Sequence, residues 1–188
     1  ANDGVTELPE NFSVTAEVNG ETLTESTQLL DGAGAFKLTV DGDNFTGTAN
    51  DDVFSAIPAQ DGASNLIDTL QNVDVLDGGD GWDQLNATLE GNPAGTIAPS
   101  LTSVEAINAR FSGVTTLDFI GSTGVEKVTA SQSTAAGTFD NIGDAEELGV
   151  SNQSSNVDFF GSTADNLMVG LHTVGANAPT TVNLNDAT

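Results

Sequence analysis

The sequence is almost devoid of basic residues. Three Lys or Arg occur in 188 residues, against 28 Asp and Glu, so the formal net charge is −25. Nucleic acids are bound by clustered Lys and Arg that neutralise phosphates, and this composition excludes them as partners. Docking onto an anionic membrane surface is disfavoured for the same reason. Self-repulsion at this charge opposes compaction. Bound divalent cations are the simplest way to neutralise these charges. The alternative is an acidic surface that serves only to keep the protein soluble.

Other residue types are missing or nearly so, and each absence removes a class of chemistry. Cysteine is absent, which excludes disulfide frameworks, thiolate zinc sites and Cys nucleophiles. His172 is the only histidine, so Ser-His-Asp catalysis and multi-histidine metal sites are disfavoured. Tyr is absent and Trp82 is the single Trp, which leaves few aromatic platforms for sugars. The chain shows no N-terminal signal peptide and no apolar run approaching ~20 residues, so we expect no membrane insertion.

The residues that are present predict an ordered all-β chain. Apolar residues make up 37% of the sequence and include nine Phe, which suffices for a core. Alternating apolar and polar residues predict strands over 12–18, 22–24 and 36–40, with Asn19-Gly20 as a turn signal. Only 65–72 has a pattern that fits one or two helical turns.

From about residue 100 onward, the sequence repeats itself. Short apolar segments beginning at Val104, Val125, Leu148 and Leu167 recur at intervals of roughly twenty residues. The strongest self-match aligns 117–123 with 157–163, which are separated by two of these intervals. A coil of roughly twenty residues with two short strands is typical of a parallel β-solenoid. A β-sandwich also has short, regularly spaced strands, but the self-match favours the solenoid.

Two glycine- and aspartate-rich segments carry the clearest motif. Residues 78–85, Gly-Gly-Asp-Gly-Trp-Asp-Gln-Leu, fit the calcium-binding β-helix pattern G-G-x-G-x-D-x-U over its whole length. Residues 47–54 fit it loosely, with Asp52 and Phe54 in register. Small residues allow tight turns whose carbonyls point inward, the Asp adds a carboxylate, and the last apolar residue begins a buried strand. Neither segment fits the EF-hand loop.

These segments resemble the repeats-in-toxin (RTX) units of secreted bacterial proteins. The composition of the chain, which is rich in Thr, Asn, Gly and Val, is most similar to that of RTX-type surface-layer proteins and adhesins. The resemblance implies a β-roll-like solenoid with calcium-binding Gly/Asp loops, and export by a C-terminal signal to the cell surface or extracellular space. It implies Ca²⁺ held by backbone carbonyls and by the motif carboxylates. The implied metal-site residues are Asp52, Asp83, Asp80, Asp77, Asp51, Asn50, Gly47, Gly78, Gly79 and Gly81.

The spacing of the two motif carboxylates leaves two arrangements open. Asp52 and Asp83 are too far apart in the sequence to belong to consecutive nine-residue half-turns of a β-roll. Either 55–76 is an excursion that returns the chain so that the two loops stack and share ions, or each loop binds its own ion with local acids such as Asp74. Trp82 lies at a variable loop position, either as a lid over the loop or as a surface contact.

We expect three regions along the chain. Residues 1–44 form a β lead-in, which could be the end of a preceding domain. Residues 45–90 form the RTX-like calcium-binding region, and 91–188 form solenoid repeats that are truncated at the C-terminus.

The leading functional hypothesis is a non-enzymatic, calcium-dependent structural protein that self-assembles into a surface layer or a similar extracellular array. The first alternative is an RTX adhesin or spacer module that binds a glycan, such as a cell-surface polysaccharide, or a protein. The second is the β-helix of a polysaccharide-active enzyme, for which Arg110 and Lys127 are the candidate basic residues. We expect these two side chains instead to pair with Glu105 and Glu126.

Overall fold

The computed structural model describes residues 10–18, 21–29, 32–175 and 179–185. Every regular element in these ranges is a β-strand. The strands are β1 (Glu10–Val18), β2 (Glu21–Leu29), β3 (Ala35–Lys37), β4 (Asn44–Thr46), β5 (Val53–Ala56), β6 (Ala59–Gln60), β7 (Leu66–Ile67), β8 (Val75–Asp77), β9 (Gln84–Leu89), β10 (Thr96–Ile97), β11 (Ser100–Thr102), β12 (Ala106–Phe111), β13 (Thr115–Asp118), β14 (Lys127–Ser131), β15 (Gly137–Asp140), β16 (Glu147–Gln153), β17 (Val157–Phe160), β18 (Met168–Val174) and β19 (Val182–Asn185).

The first two strands form an antiparallel hairpin. Its register runs from Glu10 opposite Leu29 to Val18 opposite Glu21. The hairpin expected around Asn19-Gly20 is therefore confirmed in its strands, while the turn itself lies outside the described residues.

The remaining chain winds into a parallel β-solenoid, as predicted, and the solenoid has about seven turns. Its largest sheet has seven strands in the order β18-β16-β14-β12-β9-β5-β3. The second sheet has five strands in the order β10-β13-β15-β17-β19, and the third has β11-β8-β4. Pairing within all three sheets is parallel, which is inconsistent with the antiparallel sheets of a sandwich.

Coil length is regular in the second half of the solenoid and irregular in the first. Ala106, Lys127, Glu147 and Met168 occupy one register position on successive coils, so each of these coils contains roughly twenty residues. The self-match of the sequence corresponds to β13 and β17, which lie on either side of β15. By contrast, Val53 pairs with Gln84, so the coil between them is longer by about half.

A small antiparallel hairpin accounts for the long coil. Strands β6 and β7 pair through Ala59 with Ile67 and Gln60 with Leu66. The expectation of helical turns over 65–72 is therefore wrong, because Leu66–Ile67 is a strand and no helix lies in that segment. A Leu-Ile pair flanked by turn residues is too short for its periodicity to separate strand from helix.

Columns of apolar side chains fill the interior. The rings of Phe36 and Phe54 stack at 4.9 Å between centroids, and those of Phe139 and Phe159 stack at 5.1 Å. Phe111 packs edge-on against Phe139 at 5.2 Å. Because parallel strands in register place equivalent residues one above another, each coil adds one layer to the same core.

Candidate metal site

The two motif loops lie directly on one another. The Gly47 N–H donates to the Asp77 carbonyl at 2.6 Å, and the Asp80 N–H donates to the Thr48 carbonyl at 3.3 Å. The Trp82 N–H also donates to Asp51 Oδ1 at 2.9 Å. The excursion therefore returns the chain so that the two loops stack, which is the backbone geometry of the first arrangement; the sharing of ions between the loops stays a prediction.

The motif glycines allow this close stacking. A Cβ at Gly47 would overlap the Gly78 carbonyl, and a Cβ at Gly78 would overlap the Ser103 carbonyl of the next coil. Gly79 and Gly81 have φ values of +92° and +125°, in the region that favours glycine. Each predicted glycine is therefore required by the path of the backbone.

The predicted carboxylates belong to a longer column of acids, which we call the acid column. One acid immediately precedes each of the strands β5, β9, β12, β14 and β16. The acid column comprises Asp52, Asp83, Glu105, Glu126 and Glu146.

Backbone hydrogen bonds link these five positions from coil to coil. The Gln84 N–H donates to the Asp52 carbonyl at 2.9 Å, and the Ala106 N–H donates to the Asp83 carbonyl at 3.0 Å. The same pattern continues from Lys127 to the Glu105 carbonyl at 2.8 Å. Stacked strands are ~4.8 Å apart, so the column repeats one acid at the spacing of the coils.

Burial changes along the acid column. Asp52 and Asp83 are buried, with exposures of 1% and 0%. Glu105 is half-buried, while Glu126 and Glu146 are exposed. The buried end coincides with the glycine-rich loops.

The two buried carboxylates have different partners. Asp52 accepts hydrogen bonds from the backbone N–H groups of Gly34 and Thr48 and from the Thr48 hydroxyl at 3.0 Å. Asp83 Oδ1 accepts from the Asp52 N–H at 2.6 Å, but its Oδ2 is buried without a hydrogen-bond partner. The Asp83 N–H donates to Glu105 Oε2 at 2.7 Å.

The electrostatic setting of Asp83 is unfavourable to its ionised form. Burial raises the pKa of the Asp83 carboxyl to about 6, and the negative charges of Asp52, Glu105 and Asp51 act in the same direction. The hydrogen bond from the Asp52 N–H opposes this shift in the pKa. An ionised Asp83 therefore has one hydrogen-bond donor, at Oδ1, while its Oδ2 has none and three nearby negative charges oppose its ionisation.

The chemistry around Asp83 fits a hard cation. Ca²⁺ prefers carboxylate and carbonyl oxygens, and the unpartnered Asp83 Oδ2 lies beside the glycine loop and the neighbouring Glu105. Asp52 fits less well, because its oxygens already accept N–H and O–H groups. Within the described ranges, no group of three or more His, Cys, Asp or Glu side chains is arranged to hold a metal ion. A cation here would draw its remaining ligands from backbone carbonyls and water.

The other predicted ligands occupy the loop surface. Asp51 and Asp80 are exposed, and Asp77 Oδ1 accepts from the Gly79 N–H at 3.2 Å. The Asn50 N–H donates to the Thr48 hydroxyl at 3.1 Å. Trp82 has 46% of its surface exposed.

Asp74 and a further buried acid tie down loops elsewhere in the solenoid. Asp74 accepts from the backbone N–H groups of Asp43 at 2.9 Å and Gln71 at 2.7 Å. Asp68 accepts from the N–H groups of Glu90 and Asn92. Burial raises the pKa of both the Asp74 and the Asp68 carboxyls. These acids act as loop caps that are held by backbone hydrogen bonds.

Sequence reasoning missed the continuation of the acid column through Glu105, Glu126 and Glu146. The available signal was the repeated pattern of an apolar residue, Glu, any residue and an apolar residue, which occurs at 104–107, 125–128 and 145–148. The expected partner of Lys127 is also wrong. Its ammonium contacts Glu147 Oε1 at 2.7 Å, on the next coil, instead of Glu126.

Comparison with known proteins adds no relative. No protein-family model matches the chain, and a search of curated proteins finds no match. The described residues form no helix that is long and apolar enough to cross a membrane. Identification of a site therefore rests on the stacked loops and the acid column.

Proposed function

We propose that this chain is a non-catalytic, calcium-dependent β-solenoid segment of a secreted bacterial surface protein, and that it assembles into an extracellular array such as a surface layer. The observation that carries the proposal is the acid column, with the unpartnered Asp83 oxygen buried against the stacked Gly/Asp loops.

Calcium would make folding conditional on leaving the cytosol. Two like charges about 5 Å apart repel by roughly 3 kcal/mol at an effective dielectric constant of about 20. The acid column therefore opposes the stacking of coils until a cation or protons neutralise it. Extracellular calcium modules bind in the ~0.1–1 mM range, so a calcium-poor compartment would leave the column charged.

A second candidate, a glycan-binding adhesin or spacer, is favoured by one observation. A shallow groove of about 350 Å³ runs over the outer face of the seven-stranded sheet. Its lining includes Asn86, Asn108 and Arg110, which are side chains that hydrogen-bond to sugar hydroxyls.

Sedimentation velocity and far-UV circular dichroism on one sample, first in EDTA and then across a millimolar calcium titration, test the proposal. We expect the β-sheet content to increase with calcium. We also expect associated species, whose fraction rises with protein concentration. Folding without association would favour the adhesin or spacer. A chain that is fully β-rich in EDTA and indifferent to calcium would overturn the calcium-dependent function.

A further inference from the structure

The two motif loops have the same shape around their first glycine. A Cβ at Gly47 would overlap Asp52 Oδ2 and the Gly78 carbonyl oxygen. A Cβ at Gly78 would overlap Asp83 Oδ2 and the Ser103 carbonyl oxygen. In each loop, a carboxylate oxygen therefore converges with a carbonyl oxygen of the next coil. Because an ionised carboxylate and a carbonyl only accept hydrogen bonds, their approach is favourable when a donor or a cation satisfies them.

The first loop supplies a donor to its own carboxylate. The Thr48 N–H donates to Asp52 Oδ2, and the Thr48 hydroxyl donates to Asp52 Oδ1 at 3.0 Å. The second loop has glycine at the equivalent position. Gly79, with a φ of +92°, donates its N–H to Asp77 Oδ1 at 3.2 Å, and Asp83 Oδ2 is buried without a donor. The loop that departs from the motif is thus complete by itself, whereas the loop that fits the motif needs a further partner.

Protein groups also satisfy the contact between the two motif loops. Asp51 Oδ1 accepts from the Trp82 N–H at 2.9 Å. Asp83 Oδ1 accepts from the Asp52 N–H at 2.6 Å. These hydrogen bonds join the two loops without a cation.

The unpartnered oxygen faces the following coil. The Gly78 N–H donates to the Thr102 carbonyl at 2.9 Å at one end of this second contact. The Asp83 N–H donates to Glu105 Oε2 at 2.7 Å at the other end. Asp83 Oδ2 and the Ser103 carbonyl oxygen converge between these two hydrogen bonds. A fully buried carboxylate oxygen, a carbonyl oxygen and a second carboxylate therefore meet at one place.

The corner that receives the second loop has an unusual backbone conformation. Ser103 has a φ of +47°, which is uncommon for a residue other than glycine. Its N–H donates to the Thr123 carbonyl of the next coil at 3.0 Å. The surroundings thus hold Ser103 in a costly conformation, with its carbonyl oxygen against Gly78.

We propose that the cation lies between the second motif loop and the corner of the following coil, where Asp83, the Ser103 carbonyl and Glu105 bind it. This inference rests on the proposed calcium-dependent function and specifies its site. Ca²⁺ combines carboxylate and backbone carbonyl ligands, and it would satisfy the buried oxygen that the protein leaves without a donor. One ion is thereby assigned to this junction, and none is shared between the two motif loops.

The site joins the two halves of the solenoid. The second motif loop turns through residues 78–83, whereas the next corner needs only 103–105. Val104, with 0% exposure, fills that shorter corner with an apolar side chain. A buried carboxylate on one coil therefore meets an apolar corner on the next, and this junction should be weak without calcium. We expect calcium to increase hydrogen-exchange protection most on β9 and β12, which flank the junction.

Glu105→Gln tests the assignment, because Gln keeps an oxygen for the Asp83 N–H and removes the charge. Glu126→Gln is the matched control, since it makes the same change at the next, exposed position of the acid column. By isothermal titration calorimetry we expect Glu105→Gln to raise the calcium dissociation constant at least about tenfold. Glu126→Gln should change it by less than about twofold. In EDTA, Glu105→Gln should be at least as β-rich as the wild type, because it removes a negative charge beside Asp83.

Terbium luminescence locates the ion. Trp82 directly precedes Asp83 and is the single Trp of a chain without Tyr. Tb³⁺ occupies calcium sites and luminesces when a nearby indole is excited. We expect the wild type to show this luminescence, to saturate at one ion per chain and to lose the signal when calcium is added. Asp83→Asn should abolish it.

The outcomes separate this site from the function on which it rests. Equal calcium dissociation constants for Glu105→Gln and Glu126→Gln would overturn the junction site. If Asp51→Asn weakens calcium binding about tenfold and Glu105→Gln does not, the ion lies between the two motif loops, and the proposed function stands without this inference. A wild-type chain that binds neither calcium nor terbium would overturn both.

Discussion

Replacing Asp83 with Asn should stabilise the calcium-free protein and remove its response to calcium. Asn keeps an oxygen to accept the Asp52 N–H but carries no charge into the buried end of the acid column. The raised pKa of Asp83, about 6 against 3.8, corresponds to about 3 kcal/mol at about 1.4 kcal/mol per unit. The neighbouring Trp82 and Asp51 are exposed, and screening by the solvent around them lowers the expected gain to about 1–2 kcal/mol at pH 7.

The raised pKa of Asp83 also predicts the direction in which the free energy of unfolding changes with pH. Because the pKa of Asp83 is raised in the folded state, its protonation favours folding. The contribution of this group to the free energy of unfolding is fully present below pH 3.8 and is lost as pH rises through about 6. In EDTA, the wild type should therefore lose stability between these two values relative to Asp83→Asn.

These effects are tested by measuring the unfolding free energy of the wild type and of Asp83→Asn with urea, once in EDTA and once in calcium. Asp165→Asn is the matched control, since it removes one exposed carboxylate at the other end of the solenoid and should change stability by less than about 0.5 kcal/mol. Destabilisation of the metal-free protein by Asp83→Asn, or a calcium response equal to that of the wild type, would contradict the role given to Asp83.

Phe139→Ala should cost about 3–5 kcal/mol of unfolding free energy. The ring is completely buried and contacts Phe111, Phe119 and Phe159, with centroid distances of 5.2, 6.2 and 5.1 Å. Its removal leaves a cavity between coils and interrupts the column of rings. In a solenoid, each coil is stabilised by its neighbours, so the loss should spread beyond one strand.

Phe139→Leu separates volume from aromatic stacking. Leu117 occupies the same register position on the preceding coil, so Leu is compatible with this column and should cost less than about 1.5 kcal/mol. Hydrogen exchange should show lost protection on β13 and β17 in the Ala variant. A loss of less than about 1 kcal/mol for Phe139→Ala would be inconsistent with a continuous core through these coils.

The solenoid was predictable because two segments of the sequence, two coils apart, match each other closely. Residues 117–123 and 157–163 match at an offset of two coils, and the structure places them on β13 and β17 with β15 between. The Gly/Asp loops were predictable because their motif glycines mark tight positions: a Cβ at Gly47, Gly78, Gly79 or Gly81 would overlap the backbone of the neighbouring loop.

Contacts between side chains on adjacent coils were harder to predict. The side chain beside a given residue in a parallel solenoid is one coil away, and coil length differs between the two halves of this solenoid. Reasoning from adjacent residues therefore pairs Lys127 with Glu126, whereas its partner is Glu147. The same error conceals the acid column, because it makes Glu105 and Glu126 ion-pair partners of nearby bases.

The path of the excursion over residues 55–76 also could not be predicted from the local pattern of apolar and polar residues. Residues 55–76 contain two short strands of two residues each, and such segments carry too little periodicity to be assigned. Whether the loops at Asp52 and Asp83 stack depends on where this hairpin returns the chain.

The most direct test is the unfolding free energy of the wild-type chain in EDTA and at increasing calcium, with magnesium as the control cation. At about tenfold excess over the dissociation constant, each bound ion adds ~1.4 kcal/mol. We expect the unfolding midpoint to rise continuously with calcium and to change much less with magnesium, which dehydrates reluctantly and needs a near-ideal octahedral site. Identical midpoints in EDTA and in millimolar calcium would contradict calcium binding by the acid column.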